Sequence, residues 1–247
     1  MSVSLNDRAT WLHGTSCSCS HPPTGTKRSW RVVLLGAPGV GKGTQAELLA
    51  DKLGACHLST GDVFRAAKGR AENELGPAMR EALGYMKRGE LVPDQTVLNV
   101  IRERSCCIVC SGGMLLDGFP RTVAQATELQ KILGDLHVEL DAVLDYRLPM
   151  DEIVSRLSGR RTCSKCKAVY HVQTRKPRVD GYCDSCGGAL IQREDDRPES
   201  VTVRMKAYEQ STRPLTEFYS KLGKLLVVDA SGSPTQIMER AIKLLGA

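Results

Sequence analysis

The run Arg31-Val-Val-Leu-Leu-Gly36-Ala-Pro-Gly-Val-Gly41-Lys42-Gly43-Thr44 constrains the fold more than any other segment. Its unbroken apolar start reads as a β-strand buried on both faces. The glycines end that strand, and Lys42 opens an amphipathic stretch with Ala46, Leu49 and Leu53 at helical spacing. Gly36, Gly39 and Gly41 remove side chains from the turn, so backbone N–H groups can converge on an anion. The helix start adds free donors and a favourable dipole, and Lys42 adds a cation. This is the pattern of a phosphate-binding loop. It departs from the commonest form at Gly43, where Ser or Thr usually follows the lysine; Thr44, one place later, can supply the hydroxyl near magnesium instead.

Downstream, the chain alternates short apolar runs with amphipathic stretches. The runs Val32–Leu35, Met114–Leu116, Ala142–Leu144 and Leu225–Val228, with a weaker one at Cys56–Ser59, read as buried parallel strands. Helices are expected at Lys42–Leu53, Glu74–Arg88, Gln95–Arg104, Val123–Leu133, Met150–Leu157, Glu199–Leu222 and Pro234–Leu245, the last capped by Ser233. This rhythm predicts an α/β fold, a P-loop doubly wound parallel sheet of five strands. Residues 160–198 interrupt it with Cys, Gly and Pro and a hairpin around Lys167–Val172, which marks an inserted module. A chain of 247 residues, 41% hydrophobic, can bury one such core with insertions.

Two C-x2-C pairs, Cys163/Cys166 and Cys183/Cys186, lie sixteen residues apart. Two such knuckles deliver four thiolates tetrahedrally, the pattern of a structural zinc site with no position left for a catalytic water. His171 then reads as a hydrogen-bonding residue rather than a fifth ligand. Cys106, Cys107 and Cys110 lack further ligands and read as packing residues, as does Cys56; Cys17, Cys19 and His21 fall in a terminal segment and carry no site. No signal segment argues for a secreted disulfide scaffold, so a reducing compartment fits.

Further blocks fall at the expected strand ends: Leu58-Ser-Thr-Gly-Asp-Val-Phe-Arg65, Gly89-Glu-Leu-Val-Pro-Asp94, Leu116-Asp-Gly-Phe-Pro-Arg-Thr122 with Gln125, Arg156-x3-Arg160-Arg161, and Gln192-Arg-Glu-Asp-Asp196 with Arg204. Together with the loop, this set resembles the adenylate kinases, of the type with a long zinc-bearing lid, over residues 31–247. The resemblance implies reversible, magnesium-dependent phosphoryl transfer, ATP + AMP = 2 ADP. It implies a core of residues 31–58, 93–158 and 199–247, a helical AMP-binding insert at 59–92 and a zinc lid at 159–198, with Gly159 and the residues after Asp196 as hinges.

In that scheme Gly39, Val40, Gly41, Lys42, Gly43 and Thr44 hold the ATP phosphates. Arg156 stacks on the ATP adenine, with Val169, Tyr170 and Ser233 nearby. Thr60, Arg65, Glu90, Leu91, Val92, Gly118, Phe119, Pro120, Arg121 and Gln125 form the AMP site, Gln125 reading the adenine edge. Lys42, Arg121, Arg160, Arg193 and Arg204 surround the moving phosphoryl group, and Asp117 orients Mg2+ through water. No general base is required, because the attacking AMP phosphate is already anionic; alignment and charge neutralisation suffice. Lid and insert are expected to close over the nucleotides, a gating for which the adenylate kinase lid is itself the standard example.

The sequence departs from the family's usual pattern at Lys167, where Gly commonly follows the second Cys, and at Lys176-Pro177, where a Pro pair is common; these changes touch the lid hairpin and leave the zinc ligands untouched. Two rivals stand beside this reading: a kinase for UMP/CMP or one with GTP as donor, and a non-catalytic nucleotide- and zinc-binding protein. The net charge of +6 with 4% aromatics offers no stacking platform for nucleic acid. No apolar run approaches the length needed to span a bilayer. A cytoplasmic monomer is expected. Residues 1–30, rich in Ser, Thr, Cys, His and Pro, read either as a disordered N-terminal extension or as an organellar transit peptide.

Overall fold

A computed structural model of the chain describes residues 28–67, 72–87, 92–103, 108–109 and 113–247. Strand β1 (Trp30–Gly36) runs through the middle of a five-stranded sheet. Beside it on one side lie β3 (Gly113–Asp117) and then β2 (Cys56–Ser59). On the other lie β4 (Ala142–Arg147) and then β8 (Leu225–Asp229). All four pairings are parallel. The order β2-β3-β1-β4-β8 means that the chain leaves β1 toward one edge and later returns to fill the other. In such a sheet the crevice outside the carboxyl ends of the strands where the order reverses is the place for a ligand.

The strand sequences dictate both covered faces. Val32 and Leu34 point to one side, against Leu49 and Leu53 of α1 (Lys42–Leu53) and Ile237 and Ala241 of α9 (Pro234–Leu245). Val33 and Leu35 point to the other. There they join a cluster with Leu98 and Ile101 of α4 (Asp94–Arg102), Leu129 and Ile132 of α5 (Val123–Asp135), and Leu215 and Tyr219 of α8 (Pro214–Lys221). Alternation along a single strand thus feeds two hydrophobic layers. Between β2 and α4 the chain forms α2 (Thr60–Ala67) and α3 (Pro77–Lys87).

After α6 (Met150–Gly159) comes a separate antiparallel sheet in the order β6-β5-β7, made of β5 (Arg160–Cys163), β6 (Val169–His171) and β7 (Leu190–Ile191). Gly159 is required at that junction, since a Cβ there would sit 2.2 Å from His171 Nε2. His171 Nδ1 accepts from the backbone N–H groups of Gln173 and Thr174, so its ring braces the hairpin turn.

Helix α2 is not among the expected stretches, α3 begins at Pro77 rather than Glu74, and one long helix is broken. The stretch Glu199–Leu222 is not continuous: α7 (Pro198–Ala207) passes into a π-helical turn at Tyr208–Thr212 before α8 begins. Pro214 lacks an N–H and its ring collides with the preceding turn, so a regular helix cannot run through it. The backbone widens instead, and Arg213 N–H donates to Tyr208 O at 2.8 Å. The turn also places Thr212 Oγ1 3.0 Å from Arg121 O, tying this segment to the crevice.

Candidate active site

The glycine turn between β1 and α1 lies at the carboxyl end of the central strand. Its shape demands glycine. Gly36 has φ +136° and a Cβ there would lie 2.5 Å from Tyr146 O, while one on Gly39 (φ +85°) would run into Leu157 of α6. Lys42 folds back along the turn, donating from Nζ to Gly36 O at 2.6 Å and Ala37 O at 3.0 Å. Burial lowers its pKa from 10.5 to about 8; Asp117 opposes the shift, and Arg121, Arg204 and Arg160 push it further down. Four cations from four separate stretches therefore share one electrostatic neighbourhood. That arrangement is unfavourable without an anion.

Each arginine is held by its own anchor. Arg160 makes a two-pronged pair with Asp196, through Nε to Oδ2 at 2.7 Å and through Nη2 to Oδ1. Asp196 is 2% exposed. Arg204 of α7 approaches the same carboxylate, with Nη1 3.5 Å from Asp196 Oδ1, and donates to Asp195 O at 2.8 Å. Arg193 Nε donates to Thr162 Oγ1 of β5 at 2.8 Å. Arg121 Nε donates to Gly118 O at 2.9 Å, and the same oxygen accepts from Thr60 Oγ1 at 3.0 Å. Asp117, the last residue of β3, lies across from the start of α1: a Cβ on Gly43 would stand 3.6 Å from its Oδ2. His57 of β2 brings Nε2 to 3.7 Å from that oxygen.

Arg156 of α6 spans the two sides of the turn, donating to Val40 O at 3.1 Å and Ala230 O at 2.9 Å. Ser233 is engaged as the cap of α9 in a reciprocal pair with Gln236. Gln125 is 4% exposed, with Oε1 accepting from Arg121 N–H at 2.8 Å and Nε2 donating to Asp94 Oδ1 at 2.6 Å. Phe119 is buried and Pro120 follows it through a cis peptide. Val92 precedes Pro93 at the start of α4, whereas Glu90, Leu91 and the side chain of Arg65 lie outside the described residues. So do Cys17, Cys19, His21, Cys106, Cys107 and Cys110.

Tyr170 sits differently from a nucleotide-facing residue. Its ring packs with Cys163 and Cys183, and its hydroxyl accepts from Asp184 N–H at 2.8 Å and meets Cys183 Sγ at 3.5 Å. The side chain belongs to the cysteine cluster, which leaves its backbone for any contact with a nucleotide. Val169, one place earlier on β6, points the other way.

The sulfur atoms of Cys163, Cys166, Cys183 and Cys186 all lie within 4.8 Å of one another, with Cys163–Cys186 and Cys166–Cys183 at 3.4 Å. A tetrahedral zinc with Zn–S near 2.3 Å sets sulfurs about 3.8 Å apart, so the cluster fits that ion. Burial opposes ionisation of the Cys183 thiol, but hydrogen bonds from Tyr170 and the Ser185 and Cys186 amides outweigh it and bring the pKa down to about 6. Burial and the neighbouring sulfurs push Cys166 up to about 12. Without a metal the four thiols cannot all be thiolates together; a divalent cation removes that conflict.

Sequence reasoning passed over Asp94 and Asp196, which orient Gln125 and the arginines. Both stood inside quoted blocks, but an acidic residue at a helix start reads first as a capping element.

Comparison with known proteins follows the same lines. The family model described as adenylate kinase matches residues 34–224. The adenylate kinase of Acetivibrio thermocellus is 48% identical over 198 residues, covering 80% of this chain and 89% of that protein. That of Thermodesulfovibrio yellowstonii is 46% identical over 215 residues, covering 87% and 98%. That of Carboxydothermus hydrogenoformans is 44% identical over 207 residues, covering 84% and 95%. A family match over residues 34–224 and identities of 44–48% over most of each chain show that the chain belongs to the adenylate kinase family and is a phosphotransferase acting on a nucleoside monophosphate.

Proposed function

We propose that the chain catalyses ATP + AMP = 2 ADP in the crevice at the carboxyl ends of β1 and β3, with the residues divided as follows. The amides of Gly39–Thr44 and the Lys42 ammonium hold the ATP phosphates. The Arg156 guanidinium, pinned flat by two carbonyls, lies on the ATP adenine beside Val169, the Tyr170 backbone and the loop before Ser233. Thr60, Arg65, Glu90–Val92, Gly118–Arg121 and Gln125 receive AMP. Arg121, Arg160, Arg193 and Arg204 neutralise the charge spread over the group in transfer.

Bound Mg2+ would supply positive charge to neutralise the phosphates during transfer. The carboxylate of Asp117, facing the start of α1, and the Thr44 hydroxyl are hard oxygen donors suited to its water shell. A zinc ion held by the four cysteines would fix the β5-β6-β7 module, which has too small a core to hold itself. Residues 59–92 and 159–198 are the inserts that cover AMP and ATP.

The observation that carries this reading is the convergence of Lys42, Arg121, Arg160 and Arg204 on one neighbourhood. No general base is needed beside them, because an AMP phosphate oxygen attacks as an anion. We further propose a cytoplasmic monomer; no helix among the described residues is long and apolar enough to cross a membrane. A coupled assay with ATP and each of AMP, UMP, CMP and GMP tests the reaction. AMP should be preferred by a wide margin. Equal or better turnover of a pyrimidine monophosphate would overturn the AMP assignment, and no turnover with any acceptor would overturn the catalytic one.

A further inference from the structure

The bonds around Gln125 close into a ring. Asp94, the first residue of α4, accepts at Oδ1 from Gln125 Nε2 (2.6 Å) and at Oδ2 from Thr122 Oγ1 (3.1 Å). Thr122, the N-cap of α5, accepts at Oγ1 from Gln125 N–H (3.1 Å). Gln125 Oε1 accepts from Arg121 N–H (2.8 Å). Every donor in this ring faces an acceptor. Turning the Gln125 amide over would aim its oxygen at a carboxylate and its NH2 at a backbone N–H. Two attractive contacts would become two repulsive ones, so the amide has one orientation.

A primary amide carries two N–H donors and two acceptor lone pairs. The ring takes one of each. One donor and one acceptor remain, in fixed order. Adenine offers an amino donor beside a ring-nitrogen acceptor, the pair that a glutamine amide matches with two bonds. Hypoxanthine carries a carbonyl oxygen in place of the amino group, and an N–H replaces the acceptor nitrogen on its pairing edge. A freely turning amide serves either base by flipping. A locked one serves only the first.

We infer that Asp94 is a specificity-determining positioning residue, which locks the Gln125 amide so that the monophosphate site takes a 6-aminopurine and rejects a 6-oxopurine. This rests on the reading of Gln125 as the base contact. Because Gln125 is almost fully buried, water cannot rescue a mismatched pair, and a buried group left without its partner is costly. Asp94 itself touches no base in this scheme and acts only through the amide.

The test compares AMP and IMP as acceptors at saturating ATP, in the parent and in Asp94→Ala, Asp94→Asn and Gln125→Ala. The KM for ATP and the melting temperature are measured for each. Asp94→Ala should lower the AMP-over-IMP ratio of kcat/KM by about tenfold, the worth of one hydrogen bond to a charged partner. The change should come from a higher KM for AMP and a lower one for IMP, with the KM for ATP unmoved. Asp94→Asn keeps the shape but can rotate to suit either amide orientation, so it should give a smaller fall in the same direction; it also carries the test if the alanine variant does not fold. A merely structural Asp94 would weaken both monophosphates alike, and an unchanged ratio in folded variants would overturn the inference. Gln125→Ala separates the two levels. If it leaves the KM for AMP unchanged, the base-contact reading itself falls; if it raises that KM while the Asp94 variants keep the parental ratio, the lock alone is refuted.

Discussion

Lys42→Met removes a cation that the empty protein holds at a cost, and the size of that cost follows from the site. Burial and the Arg121, Arg204 and Arg160 charges bring the Lys42 pKa from 10.5 to about 8. At 1.36 kcal/mol per unit this interval corresponds to roughly 3 kcal/mol against the charged form, an upper figure because the residue is only half-buried by its accessible surface. Methionine also forfeits the two bonds from Nζ to Gly36 O and Ala37 O, worth about 1 kcal/mol each. The variant without nucleotide should therefore be about 1 kcal/mol more stable than the parent at pH 7, while turnover is lost. The pH dependence isolates the cause. Above about pH 8 the folded protein releases the Lys42 proton, whereas the unfolded chain keeps it to about 10.5. The unfolded state then binds more protons, so the parent gains stability with rising pH relative to the variant. Urea unfolding of both proteins at pH 7, 8 and 9.5 should show the parent recovering about 2 kcal/mol across the upper interval. A parent-minus-variant difference that stays flat from pH 7 to 9.5 would refute the reasoning, and substantial residual activity in the variant would refute the phosphate role.

Arg121→Ala should raise the KM for AMP and lower kcat together, since the group is placed to hold the acceptor and to meet the transferring phosphoryl; unchanged constants in steady-state kinetics would remove it from the site. Asp196→Asn withdraws a buried charge from Arg160 and Arg204, and a loss of about 3–5 kcal/mol in unfolding free energy is expected, with a larger fall in kcat than rise in KM; a variant as stable and as active as the parent would show that the anchor is dispensable. Metal analysis should find one zinc per chain, and Cys163→Ser should melt at a lower temperature while keeping part of its activity in the cold. Protein purified without chelators yet free of metal, or a variant as heat-stable as the parent, would remove zinc from the account.

The sheet was legible because its strands are unbroken apolar runs, and the loop because glycine and lysine follow one of those runs directly. Both signals are local. The cysteine cluster was legible for a different reason: metal geometry imposes its own spacing on the chain. What escaped was set by tertiary contact. Pro214 bars a regular helix there, but its neighbours do not show that the backbone passes it by a π-turn, which Thr212 ties to Arg121 O. Tyr170 alternates with Val169 as any strand pair does, and nothing in that alternation says which face meets the cysteines. Asp94 opens a helix and Asp196 closes the short acidic turn Glu194–Asp196, places where an acidic residue has a sufficient local reason to exist. Their partners, Gln125 and Arg160, are 31 and 36 residues distant.

Asp196 shows how the site can be strongly cationic and still be prepared for its substrate. An arginine free to reorient would lose rotamer freedom on meeting a phosphate and would have to be aligned at the moment of transfer. Asp196 removes that requirement for Arg160 by taking Nε and one Nη2 hydrogen. A guanidinium has five N–H donors, so the remaining ones stay aimed by a fixed plane. Arg204 is braced against the same carboxylate and against Asp195. Burial does most to lower the Lys42 pKa, and the charges of Arg121, Arg204 and Arg160 still add to that shift despite their anchors. The charge still missing is that of the nucleotide phosphates. Lys42 opens α1 and Arg121 follows β3, whereas Arg160 opens β5 and Arg193 follows β7; under the proposed function a phosphate anion between them would draw the two sheets together. Under that proposal, binding energy and the assembly of the reacting centre would be one electrostatic event.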